Sequence, residues 1–222
     1  MKLVKLIAAL AVGAVLSSCG PTTDVTSRNA VLASDTKMAA GSQSGDATQQ
    51  LPSSLRVVGV HVNVPQTLSV SEADTLYPRG DIVWRGDAAG DRYKQVESIF
   101  KRSFIHGTKD FQGETPVQLS IQVSRFHSLS ERASATVGGV HNMEFWLTVH
   151  HARTGEKLAP TRRIEANLKA LGGSKAIRAV NRGQTQKVRV MGYLAQVIRQ
   201  ELLNNGASTR SAALRKTQRF EF

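Results

Sequence analysis

Between Val117 and Ser124 the chain alternates without a break. Val117, Leu119, Ile121 and Val123 take the odd positions, and Gln118, Ser120, Gln122 and Ser124 the even ones. Strand side chains point to opposite faces in turn, so this stretch specifies a sheet with one apolar face and one wet face. Such a sheet must cover its apolar side, and two amphipathic segments are at hand. After Tyr93, the residues Val96, Ile99, Phe100 and Phe104 recur at helical spacing, opposite Lys94, Gln95, Lys101 and Arg102. Asp91 is placed to cap that helix, which should end near Gly107. A second helix, capped by Thr185, carries the stripe Val190, Tyr193, Leu194, Val197, Ile198 and Leu202.

The remaining elements follow from the same two periods. Residues 56–65 read as a strand with Val58, Val60, Val62 and Val64 on one face, ended by Pro65. Residues 66–90 read as a loop, with a short strand at Ile82-Val83-Trp84. After the alternating strand, residues 131–137 are expected to be a further strand, with Gly138-Gly139 turning the chain into a hairpin. Met143, Phe145, Leu147 and Val149 line the next strand, Arg153-Thr154-Gly155-Glu156 turns, and residues 157–171 complete an antiparallel meander with Ile164, Ala166 and Leu168 on one side. Ser174 is expected to cap a short helix through Val180 that ends at Gly183. The sequence therefore predicts an α+β fold in β-α-β-meander-α order: an antiparallel sheet with two amphipathic helices on one face.

The ends of the chain are of another kind. Lys2 and Lys5 precede an apolar run, Leu6 to Leu16, and Ser17-Ser18-Cys19 closes it. That is the layout of a secretory signal, and at roughly 11 residues the run falls short of the ~20 a membrane-crossing helix needs. The site ending in Cys19 resembles the lipobox of bacterial lipoproteins. The resemblance implies cleavage between Ser18 and Cys19, a diacylglycerol on the Cys19 sulfur and an acyl chain on its new amine. The chain has one cysteine, so no internal disulfide is possible, and lipidation would remove a thiol that an oxidising compartment would otherwise attack. The bland alternative is a chance cysteine behind an ordinary signal. Gly20 is not the aspartate that retains enteric-type lipoproteins at the inner membrane, so the resemblance favours the outer one.

Residues 19–54 hold no aromatics and only scattered apolar residues, too few to offset the entropy of ordering them. As a flexible tether they would span roughly 30–35 Å on average and about 120 Å at full stretch. Residues 206–222 are polar and basic and should fray. What remains is one domain, residues 55–205, large enough to bury a core.

Three stretches together resemble a family of uncharacterised alphaproteobacterial lipoproteins. They are Asp81-Ile82-Val83-Trp84-Arg85-Gly86-Asp87 with the helix beyond it, Gly138-Gly139-Val140-His141, and Gly183 to Arg189. The resemblance implies a lipoprotein with this fold and no assigned activity. A helix-backed meander on a lipid tether is also similar, more loosely, to auxiliary lipoproteins of envelope assembly and transport.

Catalytic chemistry finds little purchase. His150 and His151 are neighbours on a strand and face opposite ways, so with His141 they read as surface or sheet-rim residues. No Cys/His spacing suits zinc, and no metal or other cofactor is expected beyond the acyl groups on Cys19. Asp81, Asp87 and Asp91 sit beside glycines or at a helix start, as turn and cap residues do. Gly172-Gly173-Ser174-Lys175 lacks the spacing of a phosphate loop. Arg79-Gly80-Asp81 and Arg85-Gly86-Asp87 spell an adhesion tripeptide twice, but turns explain both. Trp84 between them is expected to anchor its loop in the core; the alternative is a contact surface with Arg79 and Arg85.

The charge balance is the strongest hint of function. The formal net charge is +12, or +10 once the two lysines of the leader are removed. Lys175, Arg178, Arg182, Lys187 and Arg189, with Lys169, lie in a stretch without an acid from Ala166 to Gln200. Such a field would draw anionic headgroups, lipopolysaccharide phosphates or an acidic partner; the bland reading is a solvated face. Nucleic acid is not expected, since no aromatic-rich binding strand accompanies the charge. The expectation is a non-enzymatic accessory protein of the envelope, held to the membrane by lipid and contacting an envelope protein through its sheet or basic face. The alternative is a binding module for an anionic envelope ligand. An enzyme acting on envelope polymers is the third reading and would need a cleft with paired carboxylates or a metal.

Overall fold

The computed structural model describes Leu51 and residues 54–204. The leader, Ser18, Cys19, nearly all of the tether and the basic tail lie outside those residues. The elements are β1 (Leu55–Asn63), β2 (Ile82–Val83), α1 (Arg92–Thr108), β3 (Thr115–His127), α2 (Glu131–Ala135), β4 (Gly139–His151), β5 (Arg162–Ala170), α3 (Gly173–Asn181) and α4 (Gln186–Leu203). The fold is α+β, an open sheet in the order β1-β3-β4-β5 with β2 also paired to β3.

The sheet is mixed, which corrects the antiparallel expectation. β3, β4 and β5 run antiparallel, whereas β1 and β2 are parallel to β3. The cause lies in the connections: a helix between two neighbouring strands carries the chain back to the end where it began, so β1-α1-β3 has to pair parallel.

Two bulges decide which residues face the helices. In β1 the register slips between Val57 and Gly59. Leu55 and Val57 therefore share the core face with Val60, Val62 and Val64, while Val58, assigned to that face from its alternation, is 56% exposed. In β3 the slip falls between Val123 and Arg125, so the core face passes from Val123 to Phe126. Each extra residue rotates the strand by half a pleat and shifts every later side chain to the other face.

Residues 131–135 form a helix, α2, where a strand was expected. Ser130 caps it, its hydroxyl accepting from the Ala133 amide at 3.0 Å, and Asp74 accepts from the Arg132 amide at 2.7 Å. Gly138 is consequently no hairpin turn. Its φ is +72°, and its amide bonds the Ala133 carbonyl at 2.8 Å, closing the helix. α3 starts one residue before the expected cap, at Gly173, without a side-chain cap bond. Its end at Gly183, φ +76°, agrees with the sequence.

α1 and α4 lie side by side on the apolar sheet face. Phe100 and Phe104 of α1 meet Phe145 of β4, both with ring centroids 5.3 Å apart, and Phe100 also meets Phe126 of β3 edge-on at 5.9 Å. Such edge contacts add to the burial of the rings themselves. The two helices meet tightly at Gly107, where a Cβ would lie 2.2 Å from the Ala195 carbonyl oxygen. Leu51, in the stretch read as tether, is buried in this core.

Candidate functional site

The loop between β1 and α1 is built as a brace. Trp84 is fully buried, edge-on to Phe126 at 5.4 Å, and its indole N–H donates to Asp87 Oδ2 at 2.8 Å. Gly86 is the residue that lets the ring pass, since a Cβ there would sit 2.3 Å from the indole. The other Asp87 oxygen accepts from Lys187 Nζ at 2.5 Å, which ties the loop to the start of α4. Burial works to raise the Asp87 carboxyl; hydrogen bonds from Lys187 and Trp84 and the charges of Lys187 and Arg92 outweigh it, and the net shift is downward.

A second node holds the same loop. Arg92, buried at the start of α1, binds both carboxylate oxygens of Glu72, at 2.8 and 3.2 Å, and the Ala88 carbonyl at 3.1 Å. Arg85 pairs with Glu72 as well. Asp81 accepts from the Ser69 amide and hydroxyl at 2.9 and 2.7 Å, and those two bonds hold its carboxyl below the usual range. Both adhesion-like tripeptides are thus internal turn chemistry. Of the expected contact loop, Trp84 is an anchor with no surface to offer, Arg85 is engaged, and Arg79 alone is exposed.

The predicted basic patch divides. Lys187 is taken by Asp87. Arg189 is half-buried, donating to the Lys169 carbonyl at 2.7 Å, and burial lowers its pKa. Among the described residues Lys175, Arg178 and Arg182 are exposed and without a partner. They therefore make a smaller patch, carried by α3 and the residue after it.

His141 corrects the expectation of a surface histidine. It has the same strand parity as Met143, Phe145, Leu147 and Val149, so it shares their core face, where it is fully buried, its Nδ1 2.8 Å from Ser128 Oγ and its Nε2 without a partner. Burial, reinforced by the charge of Arg189, pushes its pKa down to about 3. It is a neutral core residue. His150 and His151 are partly exposed at the far end of β4, each bonded within its own turn.

The side of the sheet turned away from the helices carries the feature that sequence reasoning missed. Trp146, 42% exposed, stands between Gln122 of β3 and Arg163 of β5. Around it lies an open hollow of about 590 Å³, lined by His61 and Asn63 of β1, Ser120 and Gln122 of β3, Thr148 of β4, and Thr161. Its floor is amide, hydroxyl, imidazole and indole, with no carboxylate or ammonium among the lining residues. At its margin Arg163 pairs with Glu144. The signal was present in the parity: Met143, Phe145, Leu147 and Val149 occupy the odd positions of β4, so Trp146 has to point outward. Among the described residues no three His, Cys, Asp or Glu side chains gather as a metal site would require. None of the described helices is long and apolar enough to cross a membrane.

Comparison with known proteins adds the following. A candidate lipoprotein from Caulobacter crescentus is similar over 65% of this chain and 88% of its own, at 12% identity and a TM-score of 0.35. A Xanthomonas campestris protein of the family DUF330 is similar over 72% of this chain and 90% of its own, at 15% identity and a TM-score of 0.40. Likeness this distant carries no argument about function. No curated protein matches the sequence. A family profile does, over residues 55–218, which is the folded domain and part of the basic tail. The chain belongs to the family of unknown function DUF6778.

Proposed function

We propose that this chain is a non-enzymatic accessory protein of the cell envelope. Acyl chains on Cys19 hold it at the outer membrane, facing the periplasm, and its folded domain works by receiving another envelope protein on the open face of its sheet. The observation that carries this reading is the hollow around Trp146. An indole 42% exposed in the middle of a sheet, with amide, hydroxyl and imidazole side chains beside it and the Arg163–Glu144 pair at its margin, suits a protein contact. Tryptophan is among the residues that most often dominate interface energy. The paired strands beneath fix its position, so little entropy is lost when a partner settles there.

The test is crosslinking in cells from a photoreactive residue in place of Trp146, beside the same residue in place of Arg102 on the outer side of α1. One defined envelope protein captured from position 146 and not from 102 is the expected result. Capture of none, or the same mixture from both positions, counts against it.

A further inference from the structure

A second surface lies outside the sheet face, and it points to a different ligand. α3 runs over only nine residues and buries one of them, Ala179. Its large apolar side chains, Ile177 and Val180, are 63% and 53% exposed, and Val188 in the first turn of α4 is 47% exposed. Val137 and Val140, flanking the Gly138-Gly139 link to β4, are exposed too. Gly138 packs against Ala170 and Gly172 just ahead of α3, which brings that link to the same end of the domain. Between these apolar residues stand Lys175, Arg178 and Arg182, free of partners among the described residues, and the chain carries no acid from Ala166 to Gln200.

We infer that α3 and the first turn of α4 dock on a bilayer containing anionic phospholipid. A short helix with exposed aliphatic side chains flanked by cations lies in a membrane interface with its apolar side in the acyl boundary and its cations among the phosphates. The complementarity of charge selects an anionic surface. Each Lys or Arg close to such a surface contributes about a fivefold gain in binding. α3 projects Ile177 and Val180 outward and offers no groove for a peptide, which favours a deformable lipid surface over a folded partner. This inference stands apart from the sheet-face reading, and either can fail alone.

The test uses the full chain carrying Cys19→Ser, which leaves it free of thiols. An environment-sensitive dye is attached at Ile177→Cys, or at Ile105→Cys near the far end of α4, where Arg199 meets Asp110 at 2.6 Å. With vesicles of phosphatidylcholine and phosphatidylglycerol the dye at 177 should shift to the blue and the dye at 105 should not. Phosphatidylcholine alone should give no shift, and added salt should reverse the one seen. In the labelled chain, Lys175→Gln, Arg178→Gln and Arg182→Gln together should weaken binding about 100-fold. In the chain without a dye, Ile177→Ser with Val180→Ser should weaken vesicle sedimentation roughly tenfold. All five positions are exposed, so thermal melts should be unchanged, and the dye arm decides should any variant unfold. No shift at 177, equal shifts on neutral vesicles, an unweakened triple variant, or binding to lipopolysaccharide micelles without binding to vesicles would each overturn the inference.

Discussion

Lys187 donates its ammonium to Asp87 at 2.5 Å across 100 residues of sequence. The bond fastens the long loop between β1 and α1 to the last of the described helices, α4. Asp87 cannot be removed cheaply, because its second oxygen accepts from the buried indole of Trp84. Asp87→Ala should therefore lower stability by about 1–3 kcal/mol, the cost of an orphaned buried donor. Lys187→Met, which removes a partly exposed charge and leaves Asp87 bonded to Trp84, should cost about 1 kcal/mol or less. Urea denaturation of the two single variants and the double variant checks both. The folded pKa of Asp87 is depressed, so its contribution is complete above the usual carboxylate range and is lost as pH falls through the folded value.

Two helical glycines should respond in opposite directions to the same change. Gly107→Ala drives a methyl group toward the Ala195 carbonyl and forces α1 and α4 apart, so a loss of about 2 kcal/mol or more is expected. At Gly192 a Cβ meets nothing within 4 Å, and Gly192→Ala should gain about 0.5–1 kcal/mol from helix propensity alone. Thermal melts of the two variants beside the parent chain decide the matter. Equal effects would mean that the two helices do not meet at Gly107.

Acid should find the domain through His141. Unfolded, it takes a proton near 6.5; folded, it resists until about 3. Across that window the unfolded chain binds more protons, so stability rises with pH and falls as pH drops from 6.5 toward 3. Well inside that window the slope from this one group is about 1.4 kcal/mol per pH unit. His141→Leu should flatten the profile by that amount over the window and leave it unchanged above pH 7. A parallel pair of denaturation profiles would contradict the burial of a neutral imidazole.

Much of this fold can be read along the chain, and what cannot has one physical origin. The stripes of α1 and α4 and the alternations of β3 and β4 are local patterns, and the structure keeps them. The misplaced face of Val58, the passage from Val123 to Phe126 and the parallel pairing of β1 depend on how a strand meets its neighbour. No local period reports that. The Ser130 cap of α2 is local and was legible, but Asp74, which accepts from the Arg132 amide, lies 58 residues away in sequence. The site was partly legible in the same sense. Composition marked the cations of the α3 region, but that Lys187 and Arg189 are engaged while Lys175, Arg178 and Arg182 are free is settled by tertiary contacts. Trp146 was readable from strand parity and passed over, because an aromatic in a strand is usually core.

The placement of the protein at a membrane bears on every functional statement above and rests on residue 19. Intact mass analysis of the mature chain purified from its own cells tests it directly. The account expects the polypeptide to begin at Cys19 and to carry a diacylglyceryl group and an amide-linked acyl chain. A free sulfhydryl at Cys19, or a chain beginning at any other residue, would contradict it.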